Sequence, residues 1–73
     1  MSAPAMTRDK CFDELFPVGT RPGLAYVAYD QLTNDEDRVA FGKFLKEKRG
    51  IEPEDIGLST RLAIRAAQQR LLA

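Results

Sequence analysis

Apolar residues in this chain fall into four runs, and each recurs with a helical rather than an alternating period. Cys11, Phe12, Leu15 and Phe16 stand at i, i+1, i+4 and i+5. That spacing predicts a short amphipathic helix over residues 8–16, with Thr7 as its N-cap and residues 1–6 as a disordered tail ahead of it. Pro17 stops the helix, and the two Pro and two Gly of residues 17–23 form a bend or loop. From Leu24 to Leu32, Leu24, Ala25, Val27, Ala28, Tyr29 and Leu32 share one broad face at 100° per residue. The stretch from Tyr26 to Tyr29 would also suit a strand. A solitary strand would leave its backbone groups without partners, however, and no second strand of similar quality occurs, so a helix is expected.

Thr33 followed by Glu36 matches the capping box, with the Thr33 hydroxyl accepting from the Glu36 amide and the Glu36 carboxylate reaching back. Asp35, Glu36 and Asp37 complement the positive start of a helix expected over residues 34–49. Ala40, Phe41, Phe44 and Leu45 lie on one side of it, and Lys43, Lys46 and Glu47 on the other. Lys46, Lys48 and Arg49 suit its negative end, Gly50 is placed to follow its last turn, and Ile51 is expected to fold back over Leu45. Pro53, with Gly57 four residues later, allows one turn at most. Ser59 then caps a last helix over residues 60–72. Leu58, Leu62, Ala63, Ala66 and Ala67 are expected to form its packing face, with Arg61, Arg65, Gln68 and Gln69 opposite. The reading is an all-α single domain of three to four short helices over residues 7–73.

Composition narrows what such a domain can do. At 73 residues a single core supplies little net stability, roughly 3–5 kcal/mol, which leaves small room for a buried catalytic pocket. The absence of His and the presence of one Cys remove Ser–His and Cys–His nucleophiles, an internal disulfide and a thiolate–imidazole zinc site. No phosphate-cradling glycine motif is present. Glu52, Glu54 and Asp55 lie close together but read as solvated charges near a helix start. Neither an enzyme nor a cofactor or metal is expected. Cys11 reads as a buried apolar thiol. No secretion signal is evident, and the apolar stretch from Leu24 to Tyr29 is far too short for a membrane span, so a reducing cytoplasm is the expected location.

Net charge is zero with 11 basic and 11 acidic residues, but the charges are segregated. Residues 1–37 hold three basic and seven acidic side chains, and residues 38–73 hold eight and four. Two surfaces of opposite sign follow, each suited to a complementary partner. Tyr26 and Tyr29 beside the Pro/Gly loop, with Arg21, form one candidate contact patch, one tyrosine also closing the core. Lys43, Lys46, Arg61 and Arg65 form the other. A helix-turn-helix reading of the second half would place Arg61, Arg65 and Gln68 in a DNA major groove. Glu52 and Pro53 interrupt its first helix, and a pI of 6.2 lacks the basic footprint of a DNA binder, so helical packing without DNA outweighs operator binding.

From Met1-Ser2-Ala3-Pro4 to the closing Ala66-Ala67-Gln68-Gln69-Arg70-Leu71-Leu72-Ala73, the chain resembles the small lytic-phage transcription regulators that bind bacterial RNA polymerase. The likeness covers the full length and lies in size and helical pattern rather than in a motif. It implies a monomer in the host cytoplasm that docks on a catalytic subunit of polymerase, blocks promoter-dependent initiation and promotes read-through of terminators. A helix-turn-helix repressor is the alternative. An inhibitor of some other protein would need the same non-catalytic chain.

Overall fold

A computed structural model describes residues 8–73 as four α-helices with no strand among them: α1 (Arg8–Leu15), α2 (Ala25–Tyr29), α3 (Asp35–Arg49) and α4 (Leu58–Leu72). Single 3-10 turns, Pro22–Leu24 and Pro53–Asp55, precede α2 and α4. The all-α expectation holds. The tail expected over residues 1–6 and the Thr7 cap lie outside the described residues.

Helix α3 is the centre of the molecule, packed against α1 on one side and α4 on the other. Its ends are closed by the chemistry of the residues around them, though the N-terminal cap is Asn34 rather than Thr33. Asn34 has extended backbone angles and its Oδ1 accepts from the Asp37 amide at 2.8 Å. The capping box of Thr33 and Glu36 is not formed, because the chain enters the helix one residue later than that pairing requires. At the other end Gly50 takes φ 64°, a left-handed conformation that costs glycine nothing, and the Ile51 amide turns back to the Leu45 carbonyl at 2.9 Å. Ile51 packs against the core, as its position after the cap predicts.

Four phenylalanines fill the space between α1 and α3. Phe12, Phe16, Phe41 and Phe44 are all buried. Phe12 meets Phe41 and Phe44 with ring centroids 5.2 and 5.3 Å apart, and Phe16 meets Phe41 edge-on at 6.1 Å. Such tilted and edge contacts set a ring's positive edge against a neighbour's negative face. Arg49 closes the cluster: its guanidinium lies 5.5 Å from the Phe16 centroid and 5.0 Å from that of Phe44, while Nη2 donates to Asp13 at 2.7 Å. Only 11% of the Arg49 side chain is exposed, so a residue expected to complement a helix end also covers the core.

Further expectations are corrected. Cys11 is exposed, because a helix of eight residues turns one narrow stripe inward, and Phe12 and Phe16 occupy it. The helix expected over residues 24–32 is confined to Ala25–Tyr29, of which only Ala25 and Ala28 are fully buried, and Leu24 and Val27 face outward. Residues 30–32 leave it in tight turns, and Arg38 Nη2 holds the Leu32 carbonyl at 3.2 Å.

Helix α4 is rotated from the face expected of it. Thr60, Ile64 and Ala67 are buried, at i, i+4 and i+7, whereas Leu58 is 65% and Leu62 49% exposed. The reason lies on α3. A Cβ at Gly42 would stand 3.0 Å from Ile64 Cγ2, so the bare backbone there is a notch that the Ile64 side chain occupies. Ser59 is not the cap either: α4 begins at Leu58, after Gly57 with φ 90°, and no side chain caps it.

Two outcomes check this description. Asn34→Ala is expected to cost about 1 kcal/mol in urea denaturation, while Thr33→Ala leaves the midpoint nearly unchanged. Cys11 is expected to react with a colorimetric disulfide reagent in the native protein as fast as after denaturation; reaction only on unfolding would show a buried thiol.

Candidate functional site

Helix α4 runs antiparallel to α3, with Asp35 at the start of α3 paired to Arg70 near the end of α4 and Gly42 against Ile64 between them. This register brings Lys43 and Arg65, and Lys46 and Arg61, within about one helical turn of each other along the pair. All four side chains line an open groove of about 450 Å³ between the helices. Val39, Gly42, Ile51 and Ile64 contribute apolar lining, Pro53 and Ile56 close one end, and Glu54 and Gln68 complete the wall. Four of the seven candidate contact residues are thereby gathered into one place from two elements.

Charge is distributed unevenly around this groove. Arg8 pairs with Asp37, Arg38 and Arg70 with Asp35, and Arg49 with Asp13. No carboxylate lies within ion-pair distance of Lys43, Lys46, Arg61 or Arg65 among the described residues. The arginines of α1, α3 and α4 thus form two populations that the sequence does not separate, one paired with aspartates within the fold and one, Arg61 and Arg65, lining the groove.

On its other flank α4 borders a second groove, of about 510 Å³, shared with α2. Tyr26 and Tyr29 line it with Leu58, Ser59 and Ala63. Tyr26 is half exposed, while Tyr29 packs against the core, so one of the two rings does close it. Burial raises the Tyr29 hydroxyl above its ordinary pKa, against the opposing pull of Arg38 and Arg70. Arg21 is exposed ahead of the Pro22–Leu24 turn and lines neither groove, so the patch expected of Arg21, Tyr26 and Tyr29 is not assembled as a unit.

Sequence reasoning missed the groove lining, Val39 and Ile64 above all, and the exposure of Leu58, which lines the second groove, and of Leu62, which lines neither. Gly42 in mid-helix was the available signal, since an interior helical glycine costs stability and usually marks a close approach. Where a helix-turn-helix would need its first helix, the chain makes only the three-residue Pro53–Asp55 turn. No group of three or more His, Cys, Asp or Glu side chains is arranged to hold a metal ion among the described residues, and no helix is long and apolar enough to cross a membrane. No family model matches this chain, and comparison with curated proteins and with solved structures finds no match. The site's own geometry is therefore the guide to its chemistry.

At the far end of the α3–α4 pair, Asp35 accepts from Arg70 Nε and Nη2 at 2.8 Å each and from Arg38 Nη1 at 2.7 Å. These bonds, Arg70's first, hold its carboxyl well below the usual carboxylate range. The folded state therefore takes up the proton less readily than the unfolded chain. The stabilisation is complete well above the ordinary carboxyl pKa of 3.8 and declines as pH falls, beginning below about pH 5. Asp35→Asn is expected to lower the melting temperature at pH 7, and to lose less of it than the parent chain between pH 6 and pH 3. Parallel melting curves for the two proteins would show that the carboxylate contributes no acid-labile stability.

Proposed function

We propose that this protein is a non-enzymatic docking module that occupies a surface of bacterial RNA polymerase, restraining promoter-dependent initiation and favouring read-through of terminators. The resemblance to small lytic-phage regulators supplies the partner, and the host cytoplasm would be the setting. One observation carries the docking part: the two flanks of α4 each border a groove, one with four unneutralised cations, the other with both tyrosines, and the exposed Leu58 and Leu62 lie on the same helix. Large apolar side chains rimmed by polar and charged ones are the composition of contact surfaces rather than of ordinary solvated faces. Exposed like charges on one face also speed encounter with an oppositely charged surface and make it salt-sensitive.

The test uses purified components. Immobilised protein is expected to retain purified bacterial core polymerase at about 0.15 M salt, where exposed charges more than about 8 Å apart are largely screened. It is expected to reduce promoter-dependent transcripts and to raise read-through of an intrinsic terminator in single-round assays. Leu62→Asp, on an exposed position, should weaken all three effects together while leaving the helical circular dichroism unchanged. Failure to retain polymerase, with a salt-dependent shift of duplex DNA by the chain alone, would overturn this reading in favour of the repressor.

A further inference from the structure

We infer that the α3–α4 groove is a binding site for an acidic peptide segment carrying an apolar anchor, with carboxylates placed on Lys43, Lys46, Arg61 and Arg65 and the anchor seated over Val39 and Ile64. The inference rests on the docking reading above for its setting, but its chemistry is that of the groove alone. Elsewhere in the fold each arginine that reaches a neighbouring element meets an aspartate: Arg8, Arg49 and Arg70 all do so. In the groove two cations from α3 and two from α4 line one space together with apolar side chains, so like charges from both helices are gathered there. Such an arrangement is stabilised by whatever neutralises it. Arginine and lysine differ in what they offer a carboxylate, a planar two-donor fork against a point charge, and each wall of the groove supplies one kind.

The lining chooses among anionic partners. A single-stranded nucleic acid needs aromatic faces for its bases, and both tyrosines lie on the opposite flank of α4. A duplex needs a protruding element to enter its groove, whereas these cations line a concavity. Val39, Ile51, Pro53 and Ile64 instead offer aliphatic surface to a side chain. From Val39 to Lys46 the site extends about 10 Å along α3 at 1.5 Å per residue, room for roughly two turns of an amphipathic helix laid between the two walls.

The probe is a fluorescein-labelled 16-residue peptide of Glu and Asp with Leu at helical i, i+3, i+4 spacing, titrated with the full chain and followed by anisotropy. Saturable binding that weakens with salt is expected, with amide shifts in NMR spectra centred on residues 39–46 and 61–68. Lys46→Glu combined with Arg65→Glu, both exposed, should weaken binding by at least about tenfold with an unchanged circular dichroism spectrum. Lys48→Glu, outside the groove, should leave affinity unaltered. The inference is overturned if the reversed-charge variant binds the peptide as well as the parent, if a Gln-for-Glu and Asn-for-Asp peptide binds equally, or if duplex DNA competes at the same residues with higher affinity. Polymerase retention and peptide binding by the parent chain, measured side by side, separate the two readings: peptide binding without polymerase retention sinks only the proposed partner, and retention without peptide binding sinks only this site.

Discussion

The close approach of Gly42 to Ile64 is the contact on which the useful surface of this molecule depends. A glycine in the middle of α3 gives up roughly 0.5–1 kcal/mol of helix stability relative to alanine. What the fold gains is a notch that admits a β-branched side chain and lets two 15-residue helices lie against each other in one register. That register is held a second time at the other end of the pair, where Asp35 is gripped by Arg70 and Arg38. These two contacts fix one register for the pair, and in that register Lys43, Lys46, Arg61 and Arg65 line a common space. Ile64 also turns α4 so that Leu58 and Leu62 point to solvent rather than to the core.

The other half of the molecule is stabilised by different means. Helix α1 has eight residues and is too short to persist alone, so it depends on Phe12 and Phe16 entering the aromatic cluster of α3. Arg49 spans the junction. Its stem and guanidinium cover Phe16 and Phe44, and its charge meets Asp13 from α1, so one side chain performs apolar covering and electrostatic linkage together. Substituting Lys at this position would keep the charge but lose the planar face that stacks on the rings. The mid-chain helix α2 contributes little bulk to the core, only Ala25 and Ala28 being fully buried, and its value lies in presenting Tyr26 and Tyr29 beside α4.

Electrostatically, zero net charge conceals a sorting carried out by the fold. The acidic residues at the start of α3 both complement that helix end and bind arginines arriving from α1 and α4. Those pairings are mostly exposed and individually weak. Their consequence is spatial: they absorb the arginines near the Asp-rich end and leave the cations farther along α3 and α4 without partners. The polarity seen along the sequence, acidic first half and basic second half, is in part cancelled in three dimensions and in part concentrated into one groove.

Much of this architecture was legible in the residues themselves. The helical period of the apolar runs, Pro17 as a stop, the acidic start and basic end of α3, and Gly50 after its last turn are local effects, decided by backbone sterics and by the unpaired groups at helix ends within a few residues of each position. The candidate cations were legible as a set, because residue type alone makes them suited to anions. Which way α4 faces, whether Cys11 is covered and which arginines are already engaged were decided by tertiary packing. Those outcomes turn on contacts between residues more than 20 positions apart, Gly42 with Ile64, Asp35 with Arg70, Asp13 with Arg49. A periodic pattern gives the width of an apolar stripe but not the notch it must fill, and a charge in a sequence carries no record of the partner that will meet it.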